Sequence, residues 1–376
     1  MTAHLEQVSP FLAMEIFGKA EQLEKEGRDI IHLEFGEPDF PTPKVISDAA
    51  IRAIQHSNTR YTHTQGIEEF RDAVVDKYKG KYDVSLASSQ ILTSSGSSIL
   101  LYLAMKLLVP PSDDIIITNL TYSCYDNLAM IAGINPIRVE IGLENGFQLD
   151  VDAVRKAITP KTKAIIINSP MNPTGTVLSR ECLQGLADLG IPIISDEIYG
   201  DLIYEGESLS MLNFTDNCIV LNGLSKYYAM TGWRLGYMIL NPAWVGVAAR
   251  IHQNMVISAA HFVQMAGVAA LKESGPECER MASEFNKRRQ FLIKRLPEIG
   301  LDPHYIPVGA FYYFVKCPDQ SKKSLDLAMD ILEKVGVALT PGIDFGPGGE
   351  GFIRISYANS LECLDEALNR LQKYFF

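Results

Sequence analysis

Paired cysteines are missing from this chain. Its six cysteines, Cys124, Cys182, Cys218, Cys278, Cys317 and Cys363, are scattered singly and no CxxC spacing occurs. Neither a zinc site nor a redox pair is therefore indicated, and a reducing, cytoplasmic compartment is expected. No secretory signal is expected either, because Met1 to Gln7 shows no basic-then-apolar pattern. No apolar run is long enough to span a bilayer. The most apolar stretch, Trp244 to Leu271, is broken by Arg250, His252, Gln253 and Asn254. Excess positive charge is absent as well: the net charge is -11. That argues against nucleic acid or an acidic membrane as a main partner. It leaves room for a local cationic pocket that takes a small substrate. No internal repeat or low-complexity segment is present.

What is there reads as a globular enzyme-sized chain. Its 376 residues exceed one ordinary single-core domain, and the composition, 47% hydrophobic and 21% charged, is near the globular average. Residues 11–27 have an amphipathic helical period that stops at Gly27. A short strand from Ile30 to Leu33 leads into Phe35-Gly-Glu-Pro-Asp-Phe-Pro-Thr-Pro, which can continue neither element. Helices are expected over 43–56 and 67–79. From about residue 91, short apolar runs begin at Ile91, Ile115, Ala164, Ile191, Ile219 and Leu235, most of them separated by helix-length segments such as 98–108, 124–132 and 178–189. That alternation predicts an α/β fold with a mostly parallel sheet covered by helices on both faces. Beyond Leu271 the order loosens: a charged helix at 277–296, a strand from Gly309 to Val315, a helix at 324–335, a strand from Gly351 to Tyr357 and a final helix at 360–374. A smaller α+β domain follows, built from the N- and C-terminal segments. The expected division is an arm and part of the small domain at 1–45, a large domain at 46–275 and a small domain at 276–376.

Ligands of open parallel sheets bind at the carboxyl ends of the strands. Five strand ends carry polar residues suited to chemistry. Thr93-Ser-Ser-Gly-Ser-Ser opens a helix, and its Gly96, Ser97 and Ser98 would present free N–H groups to a phosphate; an ordinary serine N-cap fits equally. Asn168-Ser-Pro-Met-Asn-Pro-Thr-Gly would hold the Asn172 amide rigidly, although Asn-Pro is also simply a good turn. Asp196, at the end of an apolar strand, needs a cationic or N–H partner, either a protonated heterocycle or a structural arginine. Lys226 follows another apolar strand, with Arg234 eight residues on. A desolvated lysine near other cations has a lowered pKa and can form a Schiff base, whereas most lysines are solvated surface groups. Arg354 lies inside a β-branched and aromatic strand, where a guanidinium wants a planar anion or a structural salt bridge. The segment Gly346-Pro-Gly-Gly-Glu-Gly fits the GxGxxG dinucleotide pattern, but it precedes a strand instead of opening a helix, so it reads as a turn.

Together these segments resemble one family, the fold type I, class I/II aminotransferases that use pyridoxal 5'-phosphate (PLP) and include aspartate aminotransferase. The resemblance runs over nearly the whole chain and in order. It is carried by Ser225-Lys226 through Met230-Thr-Gly-Trp-Arg234-Leu-Gly-Tyr, by Asn172-Pro-Thr-Gly, by Asp196-Glu-Ile-Tyr199 and by Gly351-Phe-Ile-Arg354-Ile-Ser. It implies that Lys226 carries the cofactor as an aldimine and moves the α-proton. It implies that Asp196 pairs with the pyridinium nitrogen and that Asn172 and Tyr199 donate to the phenolic oxygen. Arg234 with Gly96, Ser97, Ser98 and Ser225 would hold the phosphate, and Tyr122 would stack on the ring. Tyr61 would reach the phosphate of a neighbouring subunit, which implies a homodimer. Arg354 and the Gly36 backbone would clamp the substrate α-carboxylate. The implied reaction moves an amino group between an amino acid and a 2-oxo acid in two ping-pong halves.

Two positions depart from the family's pattern. Gly223 stands where a hydroxyl residue is common, and Thr121 where proline is common before the stacking aromatic. Both hint at a specialised member, and a PLP-dependent lyase, cyclase or synthase would share every residue named. A PLP-binding regulator would need an appended DNA-binding segment, and a plain α/β binder would have no use for Lys226. Phe17, Ile16, Phe35 and Tyr122 fit either an apolar side-chain pocket or the core. No second arginine is placed against a side-chain carboxylate.

Overall fold

The computed structural model describes residues 8–301 and 304–376. In chain order the strands are β1 (Ile31–His32), β2 (Ile91–Ser94), β3 (Asp114–Thr118), β4 (Asn135–Val139), β5 (Thr162–Asn168), β6 (Ile193–Asp196), β7 (Cys218–Gly223), β8 (Gly236–Ile239), β9 (Tyr312–Lys316), β10 (Val337–Ala338), β11 (Thr340–Pro341) and β12 (Phe352–Ser356). Seven of them form one sheet in the order β2-β8-β7-β6-β5-β3-β4. Only β8 runs against its neighbours.

The near-continuous apolar strands are explained by burial on both faces. Successive side chains alternate between two cores. Ile165, Ile167, Ile193 and Val220 face one, with Ile46, Phe70, Val74 and Ala266 from the helices Lys44–Gln55, Glu68–Tyr82 and His261–Glu273. Ala164, Ile166, Ile194 and Ile219 face the other, with Leu100, Leu103, Ala129 and Ala248 from the helices Ser97–Leu108, Cys124–Ala132 and Pro242–Met255. The strand β4 went unrecognised in the sequence because Pro136 and Arg138 interrupt its pattern. It sits at the sheet edge, where a missing N–H and a charged side chain are tolerated.

The second layer is an antiparallel sheet in the order β11-β12-β9, beside the parallel pair β1-β10. That pair joins the N-terminal and C-terminal segments, as expected for the smaller α+β part. Its core holds Leu33, Phe311, Tyr313, Ile331, Ile353, Ile355 and Leu368. The helix Gly275–Glu298 serves both parts: Cys278 and Met281 pack on the large sheet, and Phe285, Leu292 and Leu296 pack in the second core. The helix Leu12–Lys25 lays Ile16, Ala20 and Leu23 on Ala328 and Leu332. No helix among the described residues is long and apolar enough to cross a membrane.

Candidate active site

The carboxyl ends of the parallel strands come together on one edge. Asn168 at the end of β5 is in register with Asp196 at the end of β6. A cavity of about 270 Å³ opens there, between the large sheet, the second layer and the N-terminal segment. Gly36, Ser97, Ser98, Tyr122, Asn172, Asp196, Tyr199, Ser225, Lys226, Arg234 and Arg354 all line it. Residues dispersed over more than 300 positions of sequence therefore meet in one place. Gly96 lies just behind, and Tyr61 stands away from this cavity, 81% exposed.

One end of the cavity suits an anion. Gly96, at a φ of 94°, precedes the helix Ser97–Leu108, whose first turn has no side-chain cap. Its N–H groups and dipole are left for a ligand. A Cβ at Gly96 would run into the Arg234 guanidinium, so only glycine lets this turn and that arginine meet. A Cβ at Gly236 would lie 2.8 Å from the Ser97 nitrogen. Gly223 pairs with Gly236 across β7 and β8, and a Cβ there would crowd Ile198 and the Leu235 carbonyl, each at 3.1 Å. The first departure from the family's pattern is thus a tight-packing position. Arg234 itself has a left-handed backbone (φ 57°) and donates to the Thr231 carbonyl at 3.1 Å.

Lys226 lies at the centre. Its Nζ donates to the Gly36 carbonyl at 2.7 Å and sits 5.9 Å from the centre of the Tyr199 ring. Burial, with Arg354 and Arg234 nearby, lowers its pKa to about 8 despite the opposing pull of Glu37 and Asp196. The neutral amine that a nucleophile or proton acceptor requires is then about a tenth of the total at pH 7, against well under a thousandth for an ordinary lysine.

Asp196 forms the floor. Its Oδ2 accepts from the Tyr125 hydroxyl at 2.8 Å and its Oδ1 from the Ile198 N–H at 3.2 Å. Burial pushes its pKa up against those two bonds and the Lys226 charge. A cationic N–H brought to this carboxylate would hold it ionised. Above it, Tyr122 packs edge-on against Tyr125, with ring centres 5.8 Å apart. The second departure has a physical reason: the Thr121 N–H donates to the Phe345 carbonyl at 2.8 Å, a bond that proline cannot make.

The opposite end is built around Arg354, which is buried. It donates to Asn172 Oδ1 at 2.9 Å, to Thr340 Oγ1 at 3.0 Å and to the Glu34 carbonyl. Its guanidinium lies 4.4 Å from the centre of the Tyr312 ring and 4.9 Å from that of Phe345. Among the described residues it pairs with no carboxylate. A buried, uncompensated guanidinium costs free energy unless an anion completes it.

Tyr312, Tyr125, Thr340 and Asn168 were not identified from the sequence. Tyr312 shares a 2.6 Å hydrogen bond with the Tyr199 hydroxyl, and a Cβ on Gly36 would strike its own hydroxyl. The strand alternation separates Tyr312 from Tyr313, but not which of the two faces the cavity. Asn168 donates to the Asp196 carbonyl at 2.9 Å and accepts from the Asn172 N–H at 2.8 Å, which braces the loop. Of the apolar candidates, Phe35 and Tyr122 line the cavity together with Phe11 and Ala13. Phe17 packs edge-on against Phe35 with ring centres 4.7 Å apart, and Ile16 is core. The GxGxxG segment forms the expected turn before β12.

Comparison with known proteins identifies the family. Residues 28–371 match the family model described as aminotransferase class I and II. A (5-formylfuran-3-yl)methyl phosphate transaminase of Methanocaldococcus jannaschii is 40% identical over 97% of this chain and 96% of its own length. An aspartate aminotransferase of Pyrococcus horikoshii is 38% identical over 96% of this chain and 93% of its own. Among solved structures, a Methanococcus jannaschii protein reported as similar in its active site to kynurenine aminotransferases superposes with a TM-score of 0.92 at 38% identity, covering 100% of both chains. The Thermus thermophilus aspartate aminotransferase with maleate gives 0.94 at 33% identity, covering 99% of both.

Proposed function

Since the chain belongs to the class I and II aminotransferases and moves amino groups between amino acids and 2-oxo acids, we propose that it does so in the cavity around Lys226, with PLP held between the Gly96–Ser98 turn and Asp196. The observation that carries this reading is a set of three cations, Lys226, Arg234 and Arg354, lining one cavity of an acidic chain without a carboxylate ion pair among the described residues. A phosphate dianion and an α-carboxylate supply the missing negative charge.

The residues present fit the cofactor. The uncapped helix turn with Arg234 suits its phosphate, Asp196 suits a protonated ring nitrogen, and Lys226 is a desolvated amine of lowered pKa. When bound, PLP withdraws electrons from the substrate α-carbon and so makes its proton removable. The chain does the rest. Arg354 holds the α-carboxylate by its guanidinium and fixes which bond at the α-carbon faces the withdrawing system. Asp196, kept in place by Tyr125 and the Ile198 N–H, holds a proton on the ring nitrogen. Asn172 and Tyr199 stand on the side of the cavity shared with Arg354 and Tyr312, where they can donate to a phenolate oxygen. Lys226 Nζ, in its neutral form, would accept the α-proton and hold it for return.

We also assign Tyr61 to the site of a second copy of the chain, because it is exposed and outside its own cavity. A homodimer follows from that assignment. Boundaries near residues 45 and 275 are supported by the two cores, and the six free thiols favour a reducing, cytoplasmic compartment.

The test is an absorption spectrum of the purified protein with PLP, followed by single amino acids without any oxo acid. Conversion of the cofactor to its amine form with release of the matching oxo acid is the expected result and names the amino donor. Retention of the original spectrum with release of a different product would place the chain with the PLP lyases or cyclases. An unchanged imine band in Lys226→Ala would sink the assignment.

A further inference from the structure

Outside the cavity, one buried histidine fastens together the two segments assigned to phosphate binding. His252 lies in the helix Pro242–Met255 and has no exposed surface. Its Nε2 shares a hydrogen bond with Ser94 Oγ at 2.9 Å, and its Nδ1 shares one with Thr64 Oγ1 at 3.1 Å. Ser94 ends β2, and its carbonyl accepts from Gly96 N at 2.8 Å in the turn that opens the helix Ser97–Leu108. Thr64 lies three residues after Tyr61. A neutral imidazole donates through one nitrogen and accepts through the other, and a hydroxyl takes either role, so both bonds form at once.

A second buried side chain fixes the same segment. Gln264 Nε2 donates to Thr62 Oγ1 at 3.0 Å, and its Oε1 accepts from Ile67 N at 2.7 Å. The Thr93 N–H donates to the Gln65 carbonyl at 3.0 Å. The backbone from Thr62 to Ile67 is therefore tied to β2 and its turn, while Tyr61, just before it, is exposed and does not line its own cavity. Packing alone would place an apolar side chain at a fully buried helix position, because a polar one must have its hydrogen bonds satisfied. His252 meets that requirement through these two hydroxyls.

We propose that His252 is a positioning residue for two cofactor sites at once. Through Ser94 it sets the phosphate turn of its own subunit. Through Thr64 it sets the Tyr61 arm that completes the site of a second copy. The proposal rests on the homodimer reading given above, and its test separates the two.

Hybrid dimers are made from one wild-type subunit and one carrying Lys226→Ala, so that the imine band reports PLP binding at the wild-type site alone. That site keeps all its own residues and receives its arm from the Lys226→Ala subunit. Adding Thr64→Val to the Lys226→Ala subunit removes one arm bond with little change of shape. It should weaken PLP binding at the wild-type site about three- to ten-fold, the worth of one hydrogen bond. Thr64→Val in the reporting subunit should leave its affinity within two-fold. His252→Gln should weaken binding from either position. Tyr61→Phe in the Lys226→Ala subunit is the control for the dimer. If Tyr61→Phe weakens the wild-type site while Thr64→Val and His252→Gln placed beside Lys226→Ala do not, the proposal is overturned and the dimer stands. If Tyr61→Phe has no effect across the interface, the dimer reading falls and the proposal with it.

Discussion

Arg354 on β12 donates to the Asn172 side-chain oxygen at 2.9 Å, across 182 positions of sequence. The bond joins the loop after β5 to the smaller antiparallel sheet, so the group assigned to the substrate carboxylate and the group assigned to the cofactor ring share one bracket. The Glu34 carbonyl and Thr340 hydroxyl hold the other guanidinium nitrogen. The fork is oriented before any ligand arrives, which lowers the ordering cost of binding.

Arg354→Lys tests the planar fork. A lysine keeps the charge but offers a point donor that cannot hold both the bracket and a carboxylate. The KM for the amino donor should rise roughly ten- to hundred-fold, the worth of charged hydrogen bonds. The PLP spectrum should persist. Steady-state kinetics with a fixed oxo acid measure this, and an unchanged KM would remove Arg354 from carboxylate binding.

Lys226 gives a pH signature. Its pKa of about 8 means the reactive neutral amine accumulates as pH rises through 8. The rate at which the cofactor-free protein condenses with a simple aldehyde should climb between pH 6.5 and 8.5 and level off above about 9. A midpoint near 10.5 would show an ordinary solvated lysine.

Asp196→Asn keeps the shape of the side chain and its bond to the Ile198 N–H while removing the charge. A neutral amide cannot hold a proton on a ring nitrogen. The half-reaction with an amino acid should slow by roughly 10²–10³-fold, the usual loss for one electrostatic contact in a water-poor site. Stopped-flow absorbance under single-turnover conditions reads it directly. Equal rates in the two proteins would show that Asp196 is structural.

Much of this site was legible because chemistry leaves short, local marks. Lys226 with Arg234, Asp196 with Tyr199, and the Gly96 turn each sit where an apolar strand stops, and the parallel sheet brings those stops to one edge. What stayed hidden depends on approach between distant segments. Tyr312 and Tyr313 are adjacent tyrosines on one strand, and only the packing of β9 on β12 shows that Tyr312 meets Tyr199 and Arg354. Thr340 and Asn168 act through contacts of similar range. The strand β4 was hidden for the opposite reason: an edge position removed the apolar pattern that signals a strand.

Thr121→Pro restores the residue common in the family and should be unfavourable here. It deletes the N–H that bonds the Phe345 carbonyl at 2.8 Å. About 1 kcal/mol of stability should be lost, with a further cost if the carbonyl stays dry. Urea denaturation against Thr121→Ser as control measures the difference, and a stabilised Thr121→Pro would show that the bond carries no weight.

His32 offers a test on stability alone. Its Nδ1 lies 2.7 Å from Glu34 Oε1, and its Nε2 lies 3.2 Å from Glu24 Oε1. The Glu34 bond, aided by Glu24 and opposed by burial, raises its pKa to about 9. A folded-state pKa above the unfolded value of about 6.5 stabilises the fold wherever the folded protein holds the extra proton. The contribution is therefore complete below about pH 6.5 and fades as pH rises through 9. Glu34 has no exposed surface, so loss of the His32 charge leaves a buried carboxylate without its counter-ion. His32→Gln keeps a donor for Glu34 but carries no charge. The stability gap between wild type and His32→Gln should be widest near pH 6 and narrow steadily toward pH 10 in urea melts. A gap that does not change with pH would mean that His32 is neutral in the folded protein and that Glu34 is held by hydrogen bonding alone.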